Sequence, residues 1–281
     1  MPEGPEVKYL VDNLNKKLKN KVLKKINING GRYKKHGPPT GFTKFIKELP
    51  LEIKSVNCKG KFIYFLFKNS QLTMWNTLGM SGWWIKKQEK HNNLEFIYDN
   101  NKKIYFNDMR NFGTFTFCNV DNLEKKLNTL GADILDEKDQ FEIFKKRIDR
   151  KRNDTFIASA ILDQKVSAGV GNYIRAEALY VAKLSPFREI KNISEEELKI
   201  LWEICRQIGW YFYDEDKGKK LKIINGKYKI AAKYKKTGPS KYKPEADYFL
   251  VYRQDKDPMG NRVIHEKIKD RMIHYVKKIQ K

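Results

Sequence analysis

The hydrophobic pattern of this chain changes period once, and that change limits the folds open to it. From Val22 to about Cys118 apolar residues come in short alternating runs: Val22 to Asn29, Ile53 to Asn57, Lys61 to Phe67, Gln71 to Trp75, Leu94 to Tyr98, Lys103 to Asn107 and Thr114 to Cys118. Turn residues separate them at Gly30-Gly31, Gly60, Asn69-Ser70, Gly79 and Asp99-Asn100-Asn101. A period of two with frequent turns predicts half-buried strands in a β-sandwich or partly open barrel. Past Gly131 to Asp139 the spacing turns helical, in Phe141 to Arg147, Phe156 to Leu162 and Tyr173 to Ala182. Ser194-Glu195-Glu196-Glu197 then reads as a capping box opening a helix through Leu201, Cys205 and Ile208. Strands followed by helices predict an α+β multidomain protein. The expected division is a strand-rich domain over 1–130, a helical domain over 131–247 and a C-terminal hairpin over 248–281, with short strands at Tyr248 to Tyr252 and Ile264 to Val276.

A helix precedes the strands. Val7, Leu10, Val11, Leu14 and Leu18 recur at helical spacing, and Pro5 suits a first turn. Asp214 to Pro244, rich in Lys and Gly, reads as a long basic loop. Lys and Arg total 58 against 34 for Asp and Glu, a formal charge of +24. That excess fits a polyanionic partner, most simply nucleic acid, with a membrane surface as the alternative. No run of about 18 apolar residues predicts a membrane span, and no signal peptide precedes the first helix. The location expected is intracellular, nuclear or cytoplasmic. Cys58, Cys118 and Cys205 stand far apart with no CxxC pair, which argues against a disulfide framework and a Cys-based zinc site.

The N-terminus carries the sharpest chemical signal, Met1-Pro2-Glu3-Gly4-Pro5-Glu6. With Met1 removed, Pro2 presents a secondary amine. An α-amine titrates near ~8, so part of it is free to attack an aldehyde-like carbon and form a Schiff base. Glu3 stands beside it as a proton donor or acceptor.

This opening, continued by Val7, resembles the start of formamidopyrimidine-DNA glycosylase and endonuclease VIII, a base-excision repair family. Further segments resemble the same family in the same order. Cys58-Lys59-Gly60-Lys61-Phe62 matches its Gly-Lys motif, with Lys59 the rival register. Leu78-Gly79-Met80-Ser81-Gly82 and Asn107-Asp108-Met109-Arg110-Asn111-Phe112-Gly113 match its gap-filling segments. Asp163 to Tyr173, with Gln164, Gly169, Gly171, Asn172 and then Glu177, matches its helix-two-turn-helix signature. Val251-Tyr252-Arg253 resembles the opening of the family's zinc finger, yet no cysteine follows Cys205. That departure is similar to the zincless-finger branch, as in endonuclease VIII-like 1, where packing alone keeps the β-hairpin.

The resemblance implies an N-terminal β-sandwich with a leading helix, a helix-two-turn-helix domain and a zincless-finger β-hairpin. It implies a DNA glycosylase and AP lyase, with Pro2 as nucleophile, Glu3 as general acid/base and Lys61 at the DNA backbone near the lesion. Asn172, Arg271, Glu6, Gly169 and Gly171 would serve DNA binding, and Glu177 would hold the helix-two-turn-helix turn. Met80, Arg110 and Phe112 would fill the gap left by a flipped base, whose extrusion costs a few kcal/mol. The basic loop could close over the everted base. Oxidised pyrimidines and hydantoins are the expected lesions, damaged DNA the partner, the monomer the working form, and no cofactor or metal is required. A non-catalytic damaged-DNA-binding protein of the same fold is the alternative.

Overall fold

In the computed structural model residues 2–213 and 249–281 are described in full, and 219–224 and 227–233 as backbone. They fall into two compact units, one ending at Thr129 and the other beginning at Leu130.

The first unit opens with α1 (Gly4–Leu18), followed by β1 (Val22–Ile28), α2 (Gly31–His36), α3 (Phe42–Lys47), β2 (Leu51–Lys59), β3 (Phe62–Phe67), β4 (Leu72–Thr77), β5 (Trp83–Ile85), β6 (Asn92–Tyr98), β7 (Lys102–Asn107), β8 (Thr114–Asn119) and α4 (Val120–Thr129). The strands pair in the order β5-β7-β6-β1-β2-β3-β4-β8. β1 and β2 share only the pairs Val22↔Glu52 and Leu23↔Leu51. The strands on either side of that corner face one another as a sandwich. Trp84 of one layer meets Phe65 and Phe115 of the other at 5.5 and 5.8 Å between ring centres, and Phe106 meets Phe115 edge-on at 4.9 Å. Such edge-on pairs add about 0.5–1.5 kcal/mol to the area they bury. The expected hairpin at Asp99 to Asn101 joins β6 to β7, with both Asp99 and Asn101 at positive φ. The apolar stripe of α1 is buried as its spacing predicts, and Asn15 pins it to the sheet by accepting the Val56 N–H at 2.9 Å. α2 is unforeseen. It buries no residue, so no hydrophobic period marks it, and Tyr33 docks it by accepting the Phe115 N–H at 2.6 Å.

The second unit contains β9 (Ala132–Asp133), α5 (Phe141–Ile148), α6 (Ile157–Leu162), β10 (Ser167–Ala168), α7 (Asn172–Val181), α8 (Glu195–Tyr213), the pair β11 (Lys219–Ile224) and β12 (Lys227–Lys233), and the hairpin β13 (Ile264–Ile268) and β14 (Arg271–Tyr275). α7 is its axis, with every residue from Tyr173 to Tyr180 buried. Ile268, Ile273 and Val276 of the C-terminal hairpin join the same core as Ile174 and Leu179. The Ser194 capping box forms, with the Ser194 N–H on Glu197 at 2.8 Å and the Glu197 N–H on the Ser194 hydroxyl at 3.2 Å. Among the described residues no helix is long and apolar enough to cross a membrane.

Two expectations fail in this unit. Residues 249–252 form no strand. Their apolar residues are buried, but the N–H groups of Leu250, Val251 and Tyr252 go to the Glu177 carboxylate at 2.8–2.9 Å, so no ladder is left for them to join. Part of the stretch expected to be a loop is an antiparallel pair, β11 with β12, from Lys219↔Lys233 to Ile224↔Lys227. The signal was the Asn225-Gly226 dipeptide between two β-favouring runs. The rest of that loop lies outside the described residues.

Candidate functional site

At the head of α1, Pro2 is half-buried and Glu3 and Glu6 are 3% and 5% exposed. Glu3 is the N-cap residue, and Glu6 turns back to accept its N–H at 2.7 Å, half of a capping box. Glu6, expected among the DNA contacts, is here buried and engaged with the backbone of Glu3. A buried carboxylate engaged with backbone, and of the same charge as phosphate, fixes Glu3 and thereby the residue before it. Pro2 thus stands at the head of a helix, with the Glu3 carboxylate next to it in the chain.

Lys61 shares with Gly60, at φ +55°, the tight turn between β2 and β3. Positive φ at the first turn residue is the form that matches the twist of the flanking strands. Lys59, the rival register, donates to the Leu127 carbonyl at 3.3 Å and so serves α4.

The two gap-filling segments form adjacent loops. Met80 and Phe112 are 38% and 52% exposed, Arg110 is exposed, and its guanidinium lies 5.1 Å from the centre of the Phe112 ring. Asp108, 1% exposed, binds the loops together. It accepts the Ser81 hydroxyl, the Gly113 N–H at 2.7 Å and the Arg110 N–H at 3.2 Å. Asn93 on β6 donates to the Asp108 carbonyl at 3.1 Å and to Asn111 at 2.8 Å. Gly79, at φ +61°, leaves no room for a side chain, since a Cβ there would stand 2.6 Å from the Phe112 carbonyl carbon. Exposed apolar groups on a hydrogen-bonded frame suit insertion into a stack better than packing. Sequence reasoning quoted Ser81 and Asp108 within their segments but gave them no role. Asn93 had no local signal.

In the helix-two-turn-helix, Gln164 organises the turn. It donates to the carbonyls of Leu162 and Val170 at 3.0 and 2.8 Å and accepts the Gly169 N–H at 3.1 Å. Gly169 takes φ +100°, Gly171 caps α7, and Asn172 opens it. A helix start offers unpaired N–H groups to an anion. Arg175, 1% exposed, donates to the Met272 carbonyl at 2.8 Å and reaches Asn172 Oδ1 at 3.4 Å. It links Asn172 to the strand that begins with Arg271, which is exposed at the hairpin turn. Glu177 does not hold the turn as expected. It is fully buried, and burial pushes its carboxyl up to about 7 against the three N–H groups that favour its charged form. In the hairpin the rings of His265 and His274 lie 4.6 Å apart, and His265 bonds the Gln254 carbonyl. Among the described residues no cluster of three His, Cys, Asp or Glu groups could hold a metal.

A sandwich with Pro2-Glu3 at the head of its leading helix, and a helix-two-turn-helix unit that carries its own hairpin, make the fold of a DNA-repair glycosylase. Residues 1–115 match the formamidopyrimidine-DNA glycosylase N-terminal domain, 130–208 its H2TH domain and 242–281 its C-terminal domain. The chain belongs to the formamidopyrimidine-DNA glycosylase family. It is 31% identical over 209 residues to the formamidopyrimidine-DNA glycosylase of Oceanobacillus iheyensis, covering 72% of each. With that of Mycoplasma mobile it shares 33% over 214 residues, 74% of this chain and 76% of the relative. The fold is also that of the Lactococcus lactis enzyme non-covalently bound to DNA containing an AP site, with a TM-score of 0.78, 21% identity and 99% of both chains covered.

Proposed function

We propose that this chain is a bifunctional DNA glycosylase and AP lyase of base excision repair that works through its own N-terminal amine. The observation that carries the reading is Pro2 beside the buried, capped Glu3 at the head of α1. With Met1 removed, the Pro2 nitrogen attacks the sugar C1′ and the bond to the damaged base breaks. Glu3 delivers the proton that opens the sugar or releases the base. The nitrogen lone pair then forms the iminium with C1′. Loss of a C2′ proton breaks the 3′ C–O bond, and loss of a C4′ proton breaks the 5′ C–O bond, so the strand is nicked on both sides.

In this reading residues 1–130 carry the chemistry, 131–247 the DNA backbone and 248–281 a zincless finger. Lys61, Asn172 and Arg271 hold phosphates near the lesion, helped by the backbone at Gly169 and Gly171, while Met80, Arg110 and Phe112 occupy the gap. The zincless assignment is supported by the absence of cysteine after Cys205 and by the Ile268-Lys269-Asp270-Arg271 turn. With that branch go oxidised pyrimidines and hydantoins as substrates, and a Lactococcus lactis Fpg of this fold is solved with oxidised-pyrimidine DNA. The relatives' name favours a second reading, in which ring-opened and oxidised purines are the main substrates.

Borohydride trapping tests both. The Met1-processed chain is incubated with DNA carrying an abasic site, thymine glycol, a hydantoin, a formamidopyrimidine or 8-oxoguanine. A control carries an uncleaved extension ahead of Pro2, which turns its amine into an amide. An adduct that disappears in the control supports Pro2, and the base lesions rank by cleavage. Trapping that persists with the amine blocked overturns the mechanism. Tight binding with no adduct means a damage-binding protein.

A further inference from the structure

The second half of α1 borders a cavity that the proposed chemistry does not use. It has a volume of about 290 Å³, at the small end of ligand sites. Leu10 and Leu14 of α1, Trp84 of β5 and Ile104 of β7 make an apolar floor. Lys17 of α1, with Lys86 and Lys87 just past β5, makes a basic rim, and Glu89 is the one carboxylate among the lining residues. Lys17 is half-buried. Desolvation, then the charges of Lys86 and Lys102, pull its ammonium down to about 8. Its recorded contact is the Tyr98 ring, 5.8 Å away.

Positive charge gathered over apolar surface, with little acid to offset it, is a costly arrangement that an anionic ligand relieves. The floor asks in addition for an apolar group, about one side chain in size. Lys17 stands about 20 Å along α1 from Gly4 at 1.5 Å per residue, so the groove is well removed from the Pro2 end. Duplex DNA would supply the charge but, with its bases stacked, nothing for the floor. The rim lysines come from two elements, which matches an extended chain carrying several carboxylates.

We propose that this groove docks an acidic segment of a partner protein. One leucine- or phenylalanine-sized side chain would sit on the Leu10–Trp84–Ile104 floor, with flanking carboxylates against Lys17, Lys86 and Lys87.

The probe is a fluorescein-labelled ten-residue peptide of Asp and Glu with one central Leu, titrated by anisotropy against the full chain. It is compared with the same peptide carrying Ser for Leu. The variant Lys17→Glu/Lys86→Glu is set against Lys199→Glu/Lys278→Glu, an equal charge change on exposed sites elsewhere. Thermal melts and lesion-DNA binding are measured for both variants. The expected result is at least tenfold weaker peptide binding in the groove variant alone, a several-fold loss for the Ser peptide, and lesion-DNA binding as in the control variant. Equal loss in both variants, or no preference for Leu, would reduce the binding to general attraction by a basic chain and overturn the proposal. Selective loss of lesion-DNA binding in the groove variant would make the groove part of the DNA surface, and would overturn it too.

Discussion

Asp108 illustrates how much of this site depends on one buried side chain. Its carboxylate accepts from Ser81, Arg110 and Gly113, and each donor belongs to one of the two loops that carry Met80, Arg110 and Phe112. Asp108→Ala leaves the buried Gly113 N–H without this partner, at about 1–3 kcal/mol, while the Arg110 N–H keeps the Ser81 hydroxyl at 3.0 Å. The expected outcome is a lower melting temperature together with a weaker response of 2-aminopurine placed opposite the lesion, because Arg110 and Phe112 lose their frame. A melting change with an unaltered 2-aminopurine signal would reduce Asp108 to a structural residue. At this scale the sequence was legible where structure is local. The helix start behind Pro2 and the turn at Gly60-Lys61 could be placed from neighbours in the chain. Asp108 and Asn93 could not, since their partners come from other strands. The bond from the Glu3 N–H to Glu6 was not foreseen, because a carboxylate in a conspicuous motif draws attention to a ligand before its own backbone.

Among the elements, α7 and the residues after the β11–β12 pair are tied by Glu177. Glu177→Gln puts an amide N–H where a backbone N–H must donate, so a buried donor is orphaned. A destabilisation of about 1–3 kcal/mol is expected, read as a lower urea midpoint for the second unit by near-UV circular dichroism. His274, on β14, adds a pH dependence to the C-terminal hairpin. Burial, then His265, Arg253 and Arg175, hold its imidazole down to about 4, below the ordinary 6.5. The unfolded chain therefore binds this proton more readily than the folded one. The stability it contributes is present above pH 6.5 and is lost as pH falls through 4. His274→Gln should flatten the melting temperature over that range, and an unchanged slope would refute the assignment. Strands β1 to β4 and β6 to β8 were readable from their short apolar runs between turn residues, whereas β5, three residues long, was not. The strand expected at 249–252 was not, because an apolar run does not reveal where its N–H groups go. β11 and β12 were missed because lysine content outweighed Asn225-Gly226.

The whole molecule carries a formal charge of +24, so its affinity for DNA should fall steeply with salt. The contacts separate by slope. Arg271→Ala should weaken lesion-DNA binding and flatten log K against log salt by about 1. Asn172→Ala should weaken it with no change of slope, since a neutral side chain displaces no counterion. Equal slopes in all three proteins would remove Arg271 from the phosphate contacts. At this scale the two-part architecture was plain from the change of hydrophobic period. The joining of the C-terminal hairpin to the helical core was not, because that core is assembled from residues far apart in sequence.

The oxidants that damage DNA bases also attack sulfur, and the sulfur of this protein is unevenly exposed to them. Burial pushes the thiols of Cys118 and Cys205 up to about 11 and about 12, away from the reactive thiolate. The hairpin is fastened by the Arg175 guanidinium on the Met272 carbonyl and by the packing of Ile268, Ile273 and Val276, none of which depends on a sulfur. Exposed sulfur remains at Met80, 38%, and Met109, 60%, on the two adjoining loops, and at Met259 and Met272 in the second unit. In the proposed reading Met80 enters the gap, and its sulfoxide is polar and ill suited to a space between stacked bases. Peroxide should therefore weaken the grip on lesion DNA while the fold melts as before, and Met80→Leu should be spared. Such an enzyme would meet oxidative stress with its scaffold intact and its probing tip blunted, and would regain function by reduction of methionine sulfoxide rather than by resynthesis.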